Sequence, residues 1–402
     1  MRDWCRPEQG RRCFDQLPAT LERLLTGRTT GPALDEPLLR ERFERVVLVY
    51  FDAFGWAFLE RHADHPLFAR ARGDGLLVQL TAQFPSTTTA QVTTIHSGLA
   101  VAEHGLYEWH VYEPSLDRLI TPLLFSFAGD GTRGTLLGHL EPDDVFPHES
   151  VYAGLAATGV RSTVVLPAAI AGAAPNITML RGTQIVPFAT VETGLAAAGA
   201  AVAEGAGYAH VYLDEVDSLM HAVGPDDPLA EAAARLVLDA LVEATFPAGT
   251  LVLVTADHGM APVDPARTVY VNDLWPALVQ YLETGADGKP LAPAGSCRDL
   301  FLHVRDGHVE DVCAGLGERL DGVADVVSVA QLVGEGIVAH PSPRLDARLA
   351  NVVVLPRHGE AVYWHDPGRF DQRLHGQHGG LSPQEMEIPL VAWVACSRVG
   401  AT

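Results

Sequence analysis

Near-continuous apolar runs of strand length recur along this chain, and three of them are followed within two residues by an aspartate. Val46–Phe51 reads Val-Val-Leu-Val-Tyr-Phe, Tyr208–Leu213 reads Tyr-Ala-His-Val-Tyr-Leu, and Thr250–Thr255 reads Thr-Leu-Val-Leu-Val-Thr. Such runs lack the alternation of a half-exposed strand and match parallel strands covered on both faces. Leu76–Ala82, Ser162–Leu166 and Leu390–Val394 are further candidate strands. Helical patterns lie between them. Thr88–Leu99 is entered from Pro85-Ser86 and ends near Gly98, and Asp227–Thr245 is Ala/Leu-rich at helical spacing. With its flanking strands the latter makes a β-α-β unit. Ala196–Ala206, rich in Ala and Gly, reads as loop or helix.

A change of texture divides the chain. Residues 1–45 are polar and are expected to wrap the surface as helix and loop. Residues 46–261 hold the buried-strand runs and form the first part of a catalytic α/β core. From 262 to 372 the chain is richer in Pro, Gly and short strand-like runs, such as Leu300–Val304 and Asn351–Leu355, with a helix near Val309–Leu320. This stretch is predicted to be an inserted, cap-like α+β subdomain that packs over the site. Residues 373–402 return to the core.

Composition narrows the function. The 402 residues are 48% hydrophobic, enough for a large core, and the formal net charge is −22. A surface of that sign repels polyanions and shows no basic stripe, so no nucleic-acid polymer is expected as a partner. The five cysteines (Cys5, Cys13, Cys297, Cys313 and Cys396) are scattered, without a Cys-x-x-Cys pair, which argues against a disulfide framework and against a thiolate zinc site. The N-terminus is polar and charged, and no apolar run reaches about 18 residues, so neither a signal peptide nor a membrane span is expected. The expected setting is soluble and cytoplasmic.

Chemistry collects at the ends of the runs. Asp52 follows the first, Asp214 and Asp217 the second, and Asp257-His258 the third. In an open parallel sheet, ligand groups gather beyond the carboxyl ends of strands. One such Asp can be a helix N-cap. Three on one edge repel each other unless a cation neutralises them. Asp217 and His221 stand four apart, so one helical turn presents both to the same point. Gly259 permits the turn that lets Asp257 and His258 face one ligand. His378 lies in Gln-His-Gly-Gly, with His375 as a weaker rival. Mixed Asp/His ligation suits zinc, with manganese or iron as alternatives. Three carboxylates and three imidazoles suffice for two divalent ions, which can clamp the attacking and leaving oxygens of an in-line displacement. Thr87, Thr88 and Thr89 are the candidate nucleophilic hydroxyls, at a helix start that attracts phosphate.

These residues resemble the alkaline phosphatase superfamily, specifically its type I phosphodiesterase/nucleotide pyrophosphatase family. The resemblance rests on Asp52, Phe84-Pro85-Ser86-Thr87-Thr88, Asp217–His221 with Gly224-Pro225, Ala256–Met260, and His378-Gly379. It covers Val46 to about Gly105, Tyr208 to Gly259, and His378 onward. It implies an alkaline-phosphatase-like three-layer α/β/α sandwich with a mostly parallel central sheet. It also implies that Thr88 is the nucleophile and becomes a phospho-threonine. One zinc ion is then held by Asp52, Asp257 and His258 beside Thr88, and a second by Asp217, His221 and His378. Asp214 sits behind the ligands and orients one of them. The position of a family Asn that touches the phosphoryl oxygen is Trp109 here, so Trp109, Glu108 and His110 are candidate substrate-binding residues. The Cys-x-Pro-x-Arg element of sulfatases is missing. The expected substrate is a small phosphate ester or phosphoanhydride, cleaved at a phosphodiester or pyrophosphate bond. Phosphonate hydrolysis, phosphomonoesterase action, phosphoryl transfer to an alcohol, and a catalytically idle metal-bound protein are the alternatives.

Overall fold

A computed structural model of the chain describes residues 4–396, which leaves the outermost parts of the N-terminal and returning segments outside the described residues. Seven strands build the central sheet: β1 (Val46–Phe51), β2 (Leu76–Thr81), β3 (Ser162–Pro167), β4 (Gln184–Phe188), β5 (Tyr208–Leu213), β6 (Leu251–Thr255) and β7 (Glu387–Val394). Their order is β2-β7-β6-β1-β5-β3-β4. β1 pairs in parallel with β5 and β6, and β3 with β4 and β5. β7 alone is reversed, running antiparallel to both β2 and β6.

All six residues of β1 are buried. Both faces of the sheet are therefore covered, which is why its strands read as unbroken apolar runs. The covering layers include α1 (Leu17–Thr26), α2 (Thr88–Ser97), α3 (Val191–Ala203), α4 (Glu215–Val223) and α5 (Pro228–Glu243). The predicted helices fall on α2, which Gly98 ends in a left-handed conformation, and on α5, which Asp227 caps through Leu229 N–H. The Ala196–Ala206 stretch belongs to α3 as far as Ala203.

One expectation needs correction, and two elements escaped the sequence reading. The N-terminal 45 residues do more than wrap the surface. Leu17, Leu21, Leu24 and Leu25 of α1, at helical spacing, lie in the main core with Phe14 and Leu39. The edge strand β4 escaped the sequence reading because four of its five positions are exposed or half-exposed and it contains Pro187, which belongs at a sheet edge. A small antiparallel sheet of Val111–Glu113, Arg118–Thr121 and Ser126–Phe127 also went unseen, its strands being too short to show a pattern.

Residues 262–372 contain a second antiparallel sheet, in the order Ala294–Gly295, Leu300–Leu302, Val352–Pro356, Ala324–Ser328. Successive strand residues point to opposite faces. Leu300, Leu302, Val352 and Val354 accordingly meet Val312 and Leu316 of helix α6 (Val309–Arg319) in a separate small core. Phe301, Val353 and Leu355 point the other way, into the main core. The same strands thus serve two cores.

A buried ion pair fastens this sheet to the returning chain. Arg298 and Glu385 are both fully buried and meet in a two-pronged contact, Nε–Oε1 at 3.0 Å and Nη2–Oε2 at 2.8 Å. Glu385 also accepts from Gly380 N–H at 3.0 Å and from the Ser382 hydroxyl at 2.6 Å. Removing one charge strands the other in the interior. Glu385→Gln is therefore expected to cost roughly 3–5 kcal/mol in chemical denaturation. A loss below about 1 kcal/mol, the range of an exposed pair, would count against this account.

Candidate active site

The three central strands β6, β1 and β5 deliver Asp257, Asp52 and Asp217 to one edge of the sheet. Asp52 directly follows its strand, Asp257 comes one residue after its own, and both are buried. Asp217 sits in the first turn of α4, one turn before His221, with Oδ1 and Nε2 3.4 Å apart. Two groups result. Ligand atoms of Asp52, Asp257 and His258 lie within 4.8 Å of one another, and so do those of Asp217, His221 and His378. The His258 and His378 rings stack at 3.5 Å and join the groups.

Each imidazole is oriented by the backbone. His258 Nδ1 meets the Gly259 carbonyl at 2.9 Å, His221 Nδ1 the Gly376 carbonyl at 2.8 Å, and His378 Nδ1 the Ser86 carbonyl at 3.0 Å. A carbonyl only accepts, so each Nδ1 carries the hydrogen and each Nε2 keeps its lone pair. Metal-binding histidines are commonly fixed this way. On the carboxylates, Asp52 Oδ1, Asp217 Oδ1 and Asp257 Oδ2 are buried without a hydrogen-bond partner. Their other contacts are structural. Asp257 Oδ1 accepts from the N–H groups of Ala53 and His258 at 3.1 and 3.0 Å, and the Tyr212 hydroxyl donates to Asp52 Oδ2. Three lone-pair nitrogens and three orphaned oxygens are what divalent cations bind, so the residues present fit a metal pair.

The electrostatics agree. Burial, then Asp257 and Asp217, push the Asp52 carboxyl well above the usual carboxylate range. Burial also raises Asp257, with His258 opposing. Burial, then His258 and His221, push the His378 imidazole well below its ordinary value. A cation supplies the positive charge these ionised carboxylates lack.

Thr88 is the first residue of α2, and its hydroxyl lies 3.1 Å from His258 Nε2. The other two threonines are placed differently. Thr87 caps the helix through Ala90 N–H and donates to the Tyr107 carbonyl at 2.8 Å, while Thr89 is buried. His378 joins a ligand group. His375 is exposed and holds the region only through its backbone, donating to the His221 carbonyl and accepting from Val263 N–H.

Asp214 lines the cavity, and burial raises its carboxyl, but its side chain bonds none of the six candidate ligands. The group that steadies Asp52 is the Tyr212 hydroxyl, which sequence reasoning missed because Tyr212 belongs to an apolar strand. Gly259 is needed for space. A Cβ there stands 2.0 Å from the Gln384 carbonyl oxygen.

Glu108, Trp109 and His110 all line a cavity of about 620 Å³ that also reaches Thr88 and both groups. Trp109 is 42% exposed. His110 is buried, its Nδ1 2.9 Å from the Thr121 hydroxyl, and burial pushes its imidazole down to about 3. Glu108 is buried beside Asp299, and burial pushes its carboxyl up to about 7. Both carboxyls crowd Gly379, where a Cβ stands 2.6 Å from Asp299 Oδ1 and 2.9 Å from Glu108 Oε1.

The family model for type I phosphodiesterase / nucleotide pyrophosphatase matches residues 46–381. No curated protein sequence matches the chain. Among solved structures, murine ectonucleotide pyrophosphatase / phosphodiesterase 5 superposes with a TM-score of 0.60 at 20% identity, over 87% of each chain. The human counterpart gives 0.62 at 18%, again over 87% of each. Phosphonoacetate hydrolase from Sinorhizobium meliloti 1021, in complex with phosphonoformate, gives 0.63 at 18%, over 89% of this chain and 92% of that one. The chain belongs to the type I phosphodiesterase / nucleotide pyrophosphatase family, a family of phosphoric ester hydrolases within the alkaline phosphatase superfamily, and has its fold. Among the described residues no helix is long and apolar enough to cross a membrane.

Two outcomes follow. Zinc added to chelator-stripped protein is expected to raise the melting temperature and to release protons as it binds, since raised carboxyls hold protons in its absence. Calorimetric titration in buffers of different ionisation enthalpy counts them, and a count of zero contradicts the electrostatics above. For Glu108, the folded carboxyl titrates at about 7 against an ordinary 4.5. The native state keeps a proton that the unfolded chain gives up, so this stability is complete below the ordinary value and is lost as pH rises through the folded one. Glu108→Gln should therefore gain in melting temperature over the parent between about pH 5 and about pH 8. An equal difference at both ends would contradict the shift.

Proposed function

We propose that this member of the type I phosphodiesterase / nucleotide pyrophosphatase family is a two-metal hydrolase that cleaves a phosphodiester or pyrophosphate bond through a phospho-Thr88 intermediate. The observation that carries the reading is the pair of adjoining groups, with three Nε2 lone pairs and three orphaned carboxylate oxygens between them, and the Thr88 hydroxyl 3.1 Å from His258 Nε2 of the first.

In this reading Asp52, Asp257 and His258 hold one ion next to Thr88, and Asp217, His221 and His378 hold the other. When bound, such a pair of divalent cations, zinc by the character of its Asp/His ligands, acidifies a hydroxyl and neutralises the phosphoryl oxygens of an in-line displacement. The chain supplies placement. His258 and the helix start fix the Thr88 oxygen. The first N–H groups of α2 have no partner within the helix and face a phosphoryl oxygen with the positive end of the helix dipole. Thr88 Oγ1 attacks phosphorus, the bond to the leaving oxygen breaks, and the phosphoryl group stays on Thr88 as an ester. Water attacking the same phosphorus returns the hydroxyl.

The murine enzyme has been solved in an inactive form with AMP, and the Sinorhizobium enzyme with phosphonoacetate. Cavity size favours the first precedent. About 620 Å³ is generous for a two-carbon phosphonate and falls within the roughly 300–1,000 Å³ that takes drug-sized ligands. A phosphodiester or pyrophosphate of an organic group is the better match. The five cysteines are free thiols, as in a reducing cytoplasmic setting.

With zinc restored, bis-p-nitrophenyl phosphate should be turned over faster than p-nitrophenyl phosphate or phosphonoacetate. Thr88→Ala should lower that rate on the order of a thousandfold or more, as loss of a nucleophile does, while metal analysis still finds both ions. Full activity in Thr88→Ala refutes the nucleophile, and a preference for phosphonoacetate refutes the substrate class.

A further inference from the structure

We propose that Glu108 and Asp299 are positioning residues, a hydrogen-bonded pair of carboxyls that closes on the His378–Gly379 turn and holds His378 in place for the second ion. This rests on the two-ion reading above and makes the inserted subdomain part of that ion's site.

The turn from His378 to Gly380 is held at each residue by a group from elsewhere in the chain. Ser86 holds it twice. Its carbonyl takes His378 Nδ1 at 3.0 Å, and its hydroxyl donates to the Gly380 carbonyl at 2.8 Å. Glu385 accepts from Gly380 N–H. Ser296 Oγ lies 3.2 Å from the His378 carbonyl oxygen and 2.7 Å from Asp299 Oδ1. Between these anchors Gly379, at φ 121°, turns the side where a Cβ would stand toward Asp299 Oδ1 and Glu108 Oε1. One planar peptide joins Gly379 to His378, so a shift of the turn carries the imidazole with it.

The pair needs a reason to exist. Glu108 is 1% exposed and Asp299 0%. Among the described residues no basic side chain bonds either carboxyl. Arg298, next in the chain, is spent on Glu385 and on the carbonyls of Arg357 and Glu360. Burial raises both carboxyls, and a proton kept between them makes their contact a hydrogen bond. Packing alone would be served as well by two apolar side chains of the same shape. The pair adds direction. Asp299 directly precedes the strand Leu300–Leu302, and Glu108 follows Tyr107, whose carbonyl takes the Thr87 hydroxyl. His378 is thereby fixed both to the inserted sheet and to the start of α2, where Thr88 stands. Groups that orient a metal ligand from behind set the affinity of its site.

The test strips the full-length protein of metal and titrates zinc in competition with a chromophoric chelator. The titration is repeated with cobalt, whose visible absorption reports on its ligands. The binding step lost in His378→Ala is that of the second ion. Asp299→Ala and, separately, Glu108→Ala should weaken that step about 10–100-fold, shift its cobalt bands and leave the other step as in the parent. Asp299→Asn and Glu108→Gln keep a hydrogen bond between the two side chains and should restore the parent constant. Ser296→Ala leaves both carboxyls in place and should weaken the same step, which covers the case of an alanine variant that does not fold. Equal weakening of both steps, no weakening, or amide variants no better than alanine ones overturns the clamp while leaving the two-ion reading intact. A parent protein with a single binding step overturns the two-ion reading itself.

Discussion

Like charge crowded out of water is the constraint on which this molecule turns. β6, β1 and β5 are neighbours, so their carboxyl ends cannot avoid bringing Asp257, Asp52 and Asp217 together. The first two have almost no contact with solvent. A protein of marginal stability does not keep such a cluster for packing, because buried unpaired carboxylates are among the costliest groups to hold. The surrounding features manage that cost. Tyr212 and backbone N–H groups satisfy one oxygen of Asp52 and of Asp257, and three backbone carbonyls set the imidazoles so that their lone pairs face inward. What remains unsatisfied is shaped like a demand for cations.

Much of this was legible in the sequence because its logic is local. A strand buried on both faces writes itself as an apolar run, and the residue after it sits at the sheet edge. Asp52 and Asp257 could thus be placed from a few neighbours each, and Asp217 with His221 from helical spacing. His378 was found through its glycines, whose need for space the structure confirms at Gly379. The unread parts depend on long-range contact. Tyr212 supports Asp52 only because β5 lies beside β1. The Glu108–Asp299 pairing joins residues far apart in the chain through a turn of the inserted sheet. Arg298 looked like one more arginine until the fold placed Glu385 against it. The leucines of α1 were overlooked because the segment's average is polar while one stripe is not.

The inserted sheet is tied to the main core as well as to its own. Alternate residues of Leu300–Leu302 and Val352–Pro356 face different cores, so movement of this sheet disturbs both. It contributes Gly295, Ser296 and Cys297 to the cavity lining.

The reversed strand β7 has a consequence for the newly made chain. It enters the sheet between β2 and β6, both translated far earlier, and the His378 turn is made shortly before it. A nascent polypeptide that has emerged through residue 261 already owns Asp52, Thr88, Asp257 and His258. It lacks the third member of the other trio, and the flank of β6 stands open beside it. Translation of the C-terminal part closes the sheet and completes the second trio in the same step, so a chain halted short of it holds half a site on an unsealed edge.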